Sequence, residues 1–167
     1  MKTLLLLRHA KAESGAGAQS DHDRAITDTG RADARRLGAR LRATAQQPDL
    51  MVSSSAVRAR ETAEALADPE SEATAVPLRT SHALYQAQPA DVLDEIQALD
   101  AEAETVLMVG HQPTWSTVVS RLIGTASLSL PTGTAVRIDV EREWADVAFG
   151  TGTLRWMLPP FVLRDAT

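Results

Sequence analysis

The 167-residue chain carries a formal net charge of −5, is 44% hydrophobic and contains no cysteine. This composition excludes a disordered polymer, a disulfide scaffold, a thiolate metal site and a cysteine nucleophile. The acidic balance argues against a general nucleic-acid-binding surface, while an acidic shell around a local cationic pocket admits a small phosphoryl group. The length predicts one domain spanning residues 1–167, with a sizeable core. No apolar run near the start approaches the roughly 20 residues of a membrane span, and no signal-peptide pattern follows Lys2, so the expected location is the cytoplasm.

Leu4-Leu5-Leu6-Leu7 is an apolar run without a polar face, which predicts a strand buried on both sides. It ends in Arg8 and His9, and polar, glycine-bearing residues follow as a loop. Ligands of open α/β sheets bind beyond the carboxyl ends of strands. Arg8 is a permanently charged fork suited to phosphate, and His9 a nucleophile or proton carrier near neutral pH. Taken alone, the pair reads first as the strand's solvated end.

Residues 12–29 read as a loop. Within it Asp21-His22-Asp23 matches no standard metal-ligand spacing and reads as a solvated acidic turn. Thr27 or Thr29 is the predicted N-cap of a helix. Its inner stripe is Ala34, Leu37, Leu41 and Ala45, with Arg31, Arg35, Arg40 and Arg42 on the wet face, and it ends before Pro48. Residues 50–52 form a second buried strand ending in Ser53-Ser54-Ser55. A helix follows from near Ala56, with Ala59, Ala63, Leu66 and Ala67 facing inward. Arg58 falls in its first turn, where unpaired N–H groups and the dipole favour anions.

Residues 68–75 read as a polar, acidic linker, residues 76–78 as a short extended segment and residues 82–88 as irregular. His82 and Tyr85 read as packed or exposed rather than as pocket residues. Pro89 suits the start of a helix with Val92, Leu93, Ile96 and Leu99 on its inner face. Residues 105–109 form a third buried strand, which runs into Gly110-His111-Gln112-Pro113. The next helix buries Trp115, Val118, Val119, Leu122 and Ile123, and Gly124 caps it. Val136, Ile138 and Val140 alternate with Arg137, Asp139 and Glu141, and Leu154, Trp156 and Leu158 with Arg155 and Met157. Such alternation predicts an antiparallel pair at a sheet edge. Pro159-Pro160 is expected to close the folded part and leave a loosely held tail.

The fold class that follows is α/β: a three-layer α/β/α sandwich with a mostly parallel central sheet and an antiparallel C-terminal edge hairpin. Right-handed crossovers bring Arg8-His9, the serines leading to Arg58, and Gly110-His111 to one sheet edge.

This constellation resembles the histidine phosphatase superfamily, which includes the phosphoglycerate mutases. The family's Arg-His-Gly stands here as Arg8-His9-Ala10. Its Ser-x-x-x-Arg-Ala-x-x-Thr-Ala is matched by Ser54, Arg58, Ala59, Thr62 and Ala63, and its Gly-His by Gly110-His111. Arg24-Ala25-Ile26-Thr27 is similar to its Arg-x-Leu-Thr. The short length and the C-terminal hairpin are similar to the SixA-type branch. The resemblance implies a metal-independent phosphatase without cofactor. His9 would be the nucleophile and carry a phosphohistidine intermediate. Arg8, Arg58 and His111 would hold the phosphoryl oxygens, with Arg24 as a further ligand. The implied partner is a phosphorylated protein, foremost protein phosphohistidine, or a small phosphorylated substrate, with neither nucleic acid nor membrane. Nothing in the sequence bears on oligomeric state.

Two departures qualify this resemblance. Ala10 replaces the usual glycine, so its backbone must still supply room and a carbonyl. The carboxylate that serves the mutases as general acid has no clear counterpart: Gln86 lies where an acid is expected, and Asp21 and Asp23 are weak candidates. An alkoxide needs a proton as it departs, whereas ring-protonated phosphohistidine leaves as neutral imidazole. The missing acid therefore favours a phosphoramidate over a phosphomonoester. A small-molecule phosphomonoesterase and a non-catalytic phosphoprotein-binding module are the competing readings. Binding alone has no need of His9.

Overall fold

The computed structural model describes residues 1–18, 20–67 and 75–164. All but the last residue of the expected linker at 68–75 lies outside them. Strands β1 (Lys2–Arg8), β2 (Leu50–Ser54), β3 (Leu78–Ser81), β4 (Thr105–Gly110), β5 (Ala135–Val140) and β6 (Gly152–Leu158) form one sheet in the order β3-β2-β4-β1-β5-β6. The first four in that order run parallel, and β5 is antiparallel to both its neighbours. The expected α/β architecture with its C-terminal hairpin is present.

The leucine run shows why β1 is central. Successive side chains of a strand point to opposite faces. Leu4 and Leu6 accordingly join one core cluster, and Leu5 and Leu7 the other. Helices α3 (Pro89–Gln97) and α4 (Thr114–Ile123) cover the first face. Helices α1 (Asp28–Ala43) and α2 (Val57–Ala67) cover the second. Close approach is secured at Gly38, where a Cβ would lie 2.0 Å from the Leu66 carbonyl oxygen. At the end of β4, a Cβ on Gly110 would lie 2.1 Å from the Trp115 ring, so only glycine lets that indole cover the strand. No helix among the described residues is long and apolar enough to cross a membrane.

Thr27 caps α1 by accepting the Gly30 N–H, and Gly124 closes α4 in the left-handed region at φ 70°. Four expectations are corrected. Ala45 does not extend the stripe of α1: the helix stops at Ala43, and Ala45 is exposed at φ 52°, where the chain turns toward β2. Ser53 and Ser54 belong to β2 and are wholly buried, because the strand runs on under α2. The segment around Pro77 becomes the edge strand β3, which starts only at Leu78 and is largely exposed. As far as Arg164 the tail is tied down rather than loose. Past the two prolines, α5 (Phe161–Arg164) packs Leu163 on the second core cluster, and Arg164 donates to both oxygens of buried Asp33, at 3.0 and 2.6 Å.

Candidate active site

Parallel pairing aligns the strand ends. Arg8 stands opposite Gly110, and Ser53 opposite Val109. The residues just past these positions therefore share the carboxyl edge of the sheet.

His9 is buried there. Its backbone N–H donates to the Gly110 carbonyl, and its ring Nδ1 lies 2.8 Å from the Ala10 carbonyl oxygen. A carbonyl only accepts, so Nδ1 carries the proton and Nε2 the lone pair. Burial lowers the His9 pKa to about 4 against the opposing effect of the Ala10 carbonyl, and Arg58, Arg8 and Arg24 add to the lowering. Ala10 thus meets the demand placed on the usual glycine. Its amide donates to the hydroxyl of Thr62, which in turn donates to the Arg58 carbonyl, linking the His9 loop to α2.

The His111 ring centroid lies 5.3 Å from that of His9. Its Nε2 is 2.7 Å from the Ser54 hydroxyl, which also accepts the Ala56 N–H. Its Nδ1 is buried without a partner among the described residues. Burial lowers the His111 pKa to about 3, helped by His9 and Arg58. Both imidazoles are therefore neutral at physiological pH.

Arg8 donates from Nη1 to the Leu130 carbonyl at 2.8 Å and keeps a buried Nε with no partner among the described residues. Beside it, Thr134 receives the Arg8 N–H on its carbonyl and has a buried hydroxyl with no partner among the described residues. Arg58, in the first turn of α2, is buried. Its Nη1 donates to the Asp21 carbonyl at 2.7 Å and its Nη2 to the Asp21 carboxylate at 3.0 Å. Arg24 donates to the other oxygen of that carboxylate at 3.0 Å and, from Nε, to the Glu13 carbonyl.

The acidic turn is solvated as expected, with no buried residue, but Asp21 also reaches into the site. Residues Asp21–Asp23 form a single 3₁₀ turn, and Asp21 joins Arg58, Arg24 and the Tyr85 hydroxyl at 3.2 Å. Partial burial raises the Asp21 pKa, but Arg24 and Arg58 outweigh it and hold the carboxyl below its usual range. Asp21 is consequently ill suited to donate a proton. Tyr85 and His82 also sit at the site edge. The Tyr85 ring is edge-on to His22 at 4.9 Å and to His111 at 5.9 Å, and the Ser55 hydroxyl bridges His22 and His82 at 3.0 and 2.7 Å. All four histidines of the chain thus gather at one edge of the sheet.

Residues 4–85 match the family model of the Histidine phosphatase superfamily (branch 1). An uncharacterized protein of Mycobacterium tuberculosis is 35% identical over 158 residues, which cover 89% of this chain and 96% of that one. A SixA protein of Nakamurella multipartitia superposes with a TM-score of 0.82 at 30% identity, covering 95% of this chain and 96% of its own. A SixA protein of Agrobacterium tumefaciens gives 0.79 at 26%, covering 95% and 98%. The chain belongs to the histidine phosphatase superfamily, in its SixA-type branch.

Proposed function

We propose that this phosphatase removes the phosphoryl group from phosphohistidine in a protein, by way of a covalent phosphohistidine on His9, without metal or cofactor. What carries it is the state of the His9 ring. With Nδ1–H given to the Ala10 carbonyl and a pKa of about 4, Nε2 holds a free lone pair beside three guanidinium groups at neutral pH. A free nucleophile next to fixed positive charge is what phosphoryl transfer needs, since charge spreads over the equatorial oxygens in the transition state.

In this reading Arg8, Arg58 and Arg24 supply that positive charge. The Ser54 hydroxyl donates to His111 Nε2, which leaves the ring proton on Nδ1. His111 Nδ1 and Arg8 Nε are then two buried donors without partners among the described residues, suited to the phosphoryl oxygens. Nε2 of His9 bonds to phosphorus as the bond to the leaving nitrogen breaks. The electron pair stays with that nitrogen, and a ring protonated on its other nitrogen departs as neutral imidazole. Water then attacks phosphorus as the bond to Nε2 breaks; both water protons leave on the phosphate as dihydrogen phosphate, and Nε2 recovers its lone pair.

The substrate assignment follows from Asp21. The carboxylate nearest the arginines is held ionised, so it has no proton for an alkoxide. Phosphohistidine has no such requirement. An acid-labile phosphoryl label trapped on the wild type and absent from His9→Ala tests the nucleophile. Comparing kcat/KM for a phosphohistidine peptide and a phosphomonoester tests the substrate. The peptide is expected to be favoured by about 100-fold, and equal values would overturn the assignment.

A further inference from the structure

A cleft of about 480 Å³ is lined at one point by His111, and the rest of its lining takes no part in the chemistry above. It runs between the residues leading into α3 and the first turns of α4. His111 forms its inner end, so it adjoins the phosphoryl site. One bond joins its two walls, from the Thr114 hydroxyl to the Ala87 carbonyl at 2.6 Å. The Gln112 amide is held from behind by Ser116 and the Leu130 carbonyl.

Three features define its chemistry. In a chain of net charge −5, none of its lining residues among those described is a carboxylate. Arg121 is exposed at its outer end, with its guanidinium 5.5 Å from the Phe149 ring centroid, a contact that restrains it. Gln86 is exposed and held at φ 56°, a conformation that costs a non-glycine residue energy and is often retained where a ligand is clamped. Tyr85, directly before it, packs against the His111 ring.

We propose that this cleft seats the polypeptide on one side of the phosphorylated histidine and that an acidic side chain of that segment pairs with Arg121. The proposal rests on the phosphohistidine reading and adds the recognition of flanking sequence to it. Charge complementarity sets the occupant. The cleft offers amides, hydroxyls and one cation, and it repels no anion with a carboxylate of its own. Length sets the position. From Thr114 to Arg121 the helix rises about 10 Å. An extended chain covers that in about three residues. The acidic residue therefore lies three or four positions from the phosphorylated histidine. A compact sugar phosphate leaves Arg121 untouched.

Two peptides phosphorylated on histidine, one with Glu and one with Lys three and four positions away on either side, test this against phosphoramidate, which has no chain. KM and kcat are measured for the wild type, Arg121→Glu and Arg121→Lys. The wild type is expected to show a KM about tenfold lower for the Glu peptide, the sum of one attraction gained and one repulsion avoided. Arg121→Glu should reverse that preference, Arg121→Lys should keep most of it, and phosphoramidate turnover should stay within about twofold in all three. Equal KM values for the two peptides in the wild type would overturn the cleft assignment, as would an Arg121→Glu effect shared equally by peptides and phosphoramidate. A wild type that hydrolyses phosphomonoesters but none of these three substrates would overturn the phosphohistidine reading itself.

Discussion

Charge is buried at both ends of the central strands, and the two ends complete it differently. At the amino end, Lys2 is 3% exposed; it donates to the Ala101 carbonyl and pairs with Glu104 and Glu143. Asp139, 4% exposed, accepts from Arg137, Arg155 and the Thr3 hydroxyl. At the carboxyl end, Arg8 Nε and His111 Nδ1 are buried with no partner among the described residues, and both histidines are held uncharged. A buried donor left unpaired costs about 1–3 kcal/mol. The amino end avoids that cost with its own side chains. The carboxyl end bears it and so retains bonding capacity for a ligand. Asp21 belongs to the second group, since its carboxylate holds two of the three site arginines in place.

Substitutions should separate the two ends. Arg58→Ala is expected to have the largest effect on turnover, a fall of about 10³-fold, as when a donor to the transition state is removed. Its melting temperature should hardly change, because the lost ion pair has a half-exposed partner in Asp21. Asp139→Ala is expected to do the reverse. Two arginines lose a shared buried carboxylate, and stability should drop by about 3 kcal/mol in a denaturant titration. Turnover per folded molecule should stay within about twofold. If Arg58→Ala unfolded the protein while Asp139→Ala abolished turnover, the contrast between the ends would be wrong.

pH sharpens the same contrast. The rings of His9 and His111 have pKa values of about 4 and about 3, against 6.5 for an ordinary imidazole. The unfolded chain therefore takes up protons first. Stability from keeping these rings neutral is complete above about pH 6.5 and is lost as the pH falls toward 4, a change on the order of a few kcal/mol. Melting between pH 7.5 and pH 5 should show that loss in the wild type and a smaller one in His9→Gln. Activity should behave differently. The acid limb of kcat/KM should lie below about pH 5, since His9 Nε2 keeps its lone pair until then.

How much of this was legible in the sequence depended on whether the signal was local. Four leucines in a row can only be a strand buried on both faces, and Arg8 and His9 directly follow it. Gly110-His111 is as plain, because the strand, the turn glycine and the helix start are adjacent. Asp21 was not legible. Its partner Arg58 is 37 residues away, and a run of Asp, His and Asp looks the same whether it faces water or a guanidinium. The burial of Asp139 was not legible for a related reason: alternation marks which face a side chain takes, not that arginines from β5 and β6 cover that face. Tyr85 and His82 are packed and exposed, as read, but that both lie at the site edge was not legible, because the segment carrying them has no periodicity to orient it.

The smallest effect is expected from His22→Ala, and it marks where the site ends. His22 is joined to the rim by a bond to Ser55 and by edge-on packing with Tyr85, and its Nδ1 lies 3.7 Å from the exposed Asp23 carboxylate. Each neighbour keeps another anchor without it. Ser55 still bonds to His82, and Tyr85 still donates to Asp21 and packs on His111. The His22 side chain is 32% exposed, so water can replace what the ring gives up. Turnover should therefore stay within about threefold of wild type, the size of one partly solvated hydrogen bond. A tenfold loss instead would mean that the imidazole contacts the substrate, and the boundary between charge that only shapes the molecule and groups that meet the ligand would then run outside the rim, beyond His82.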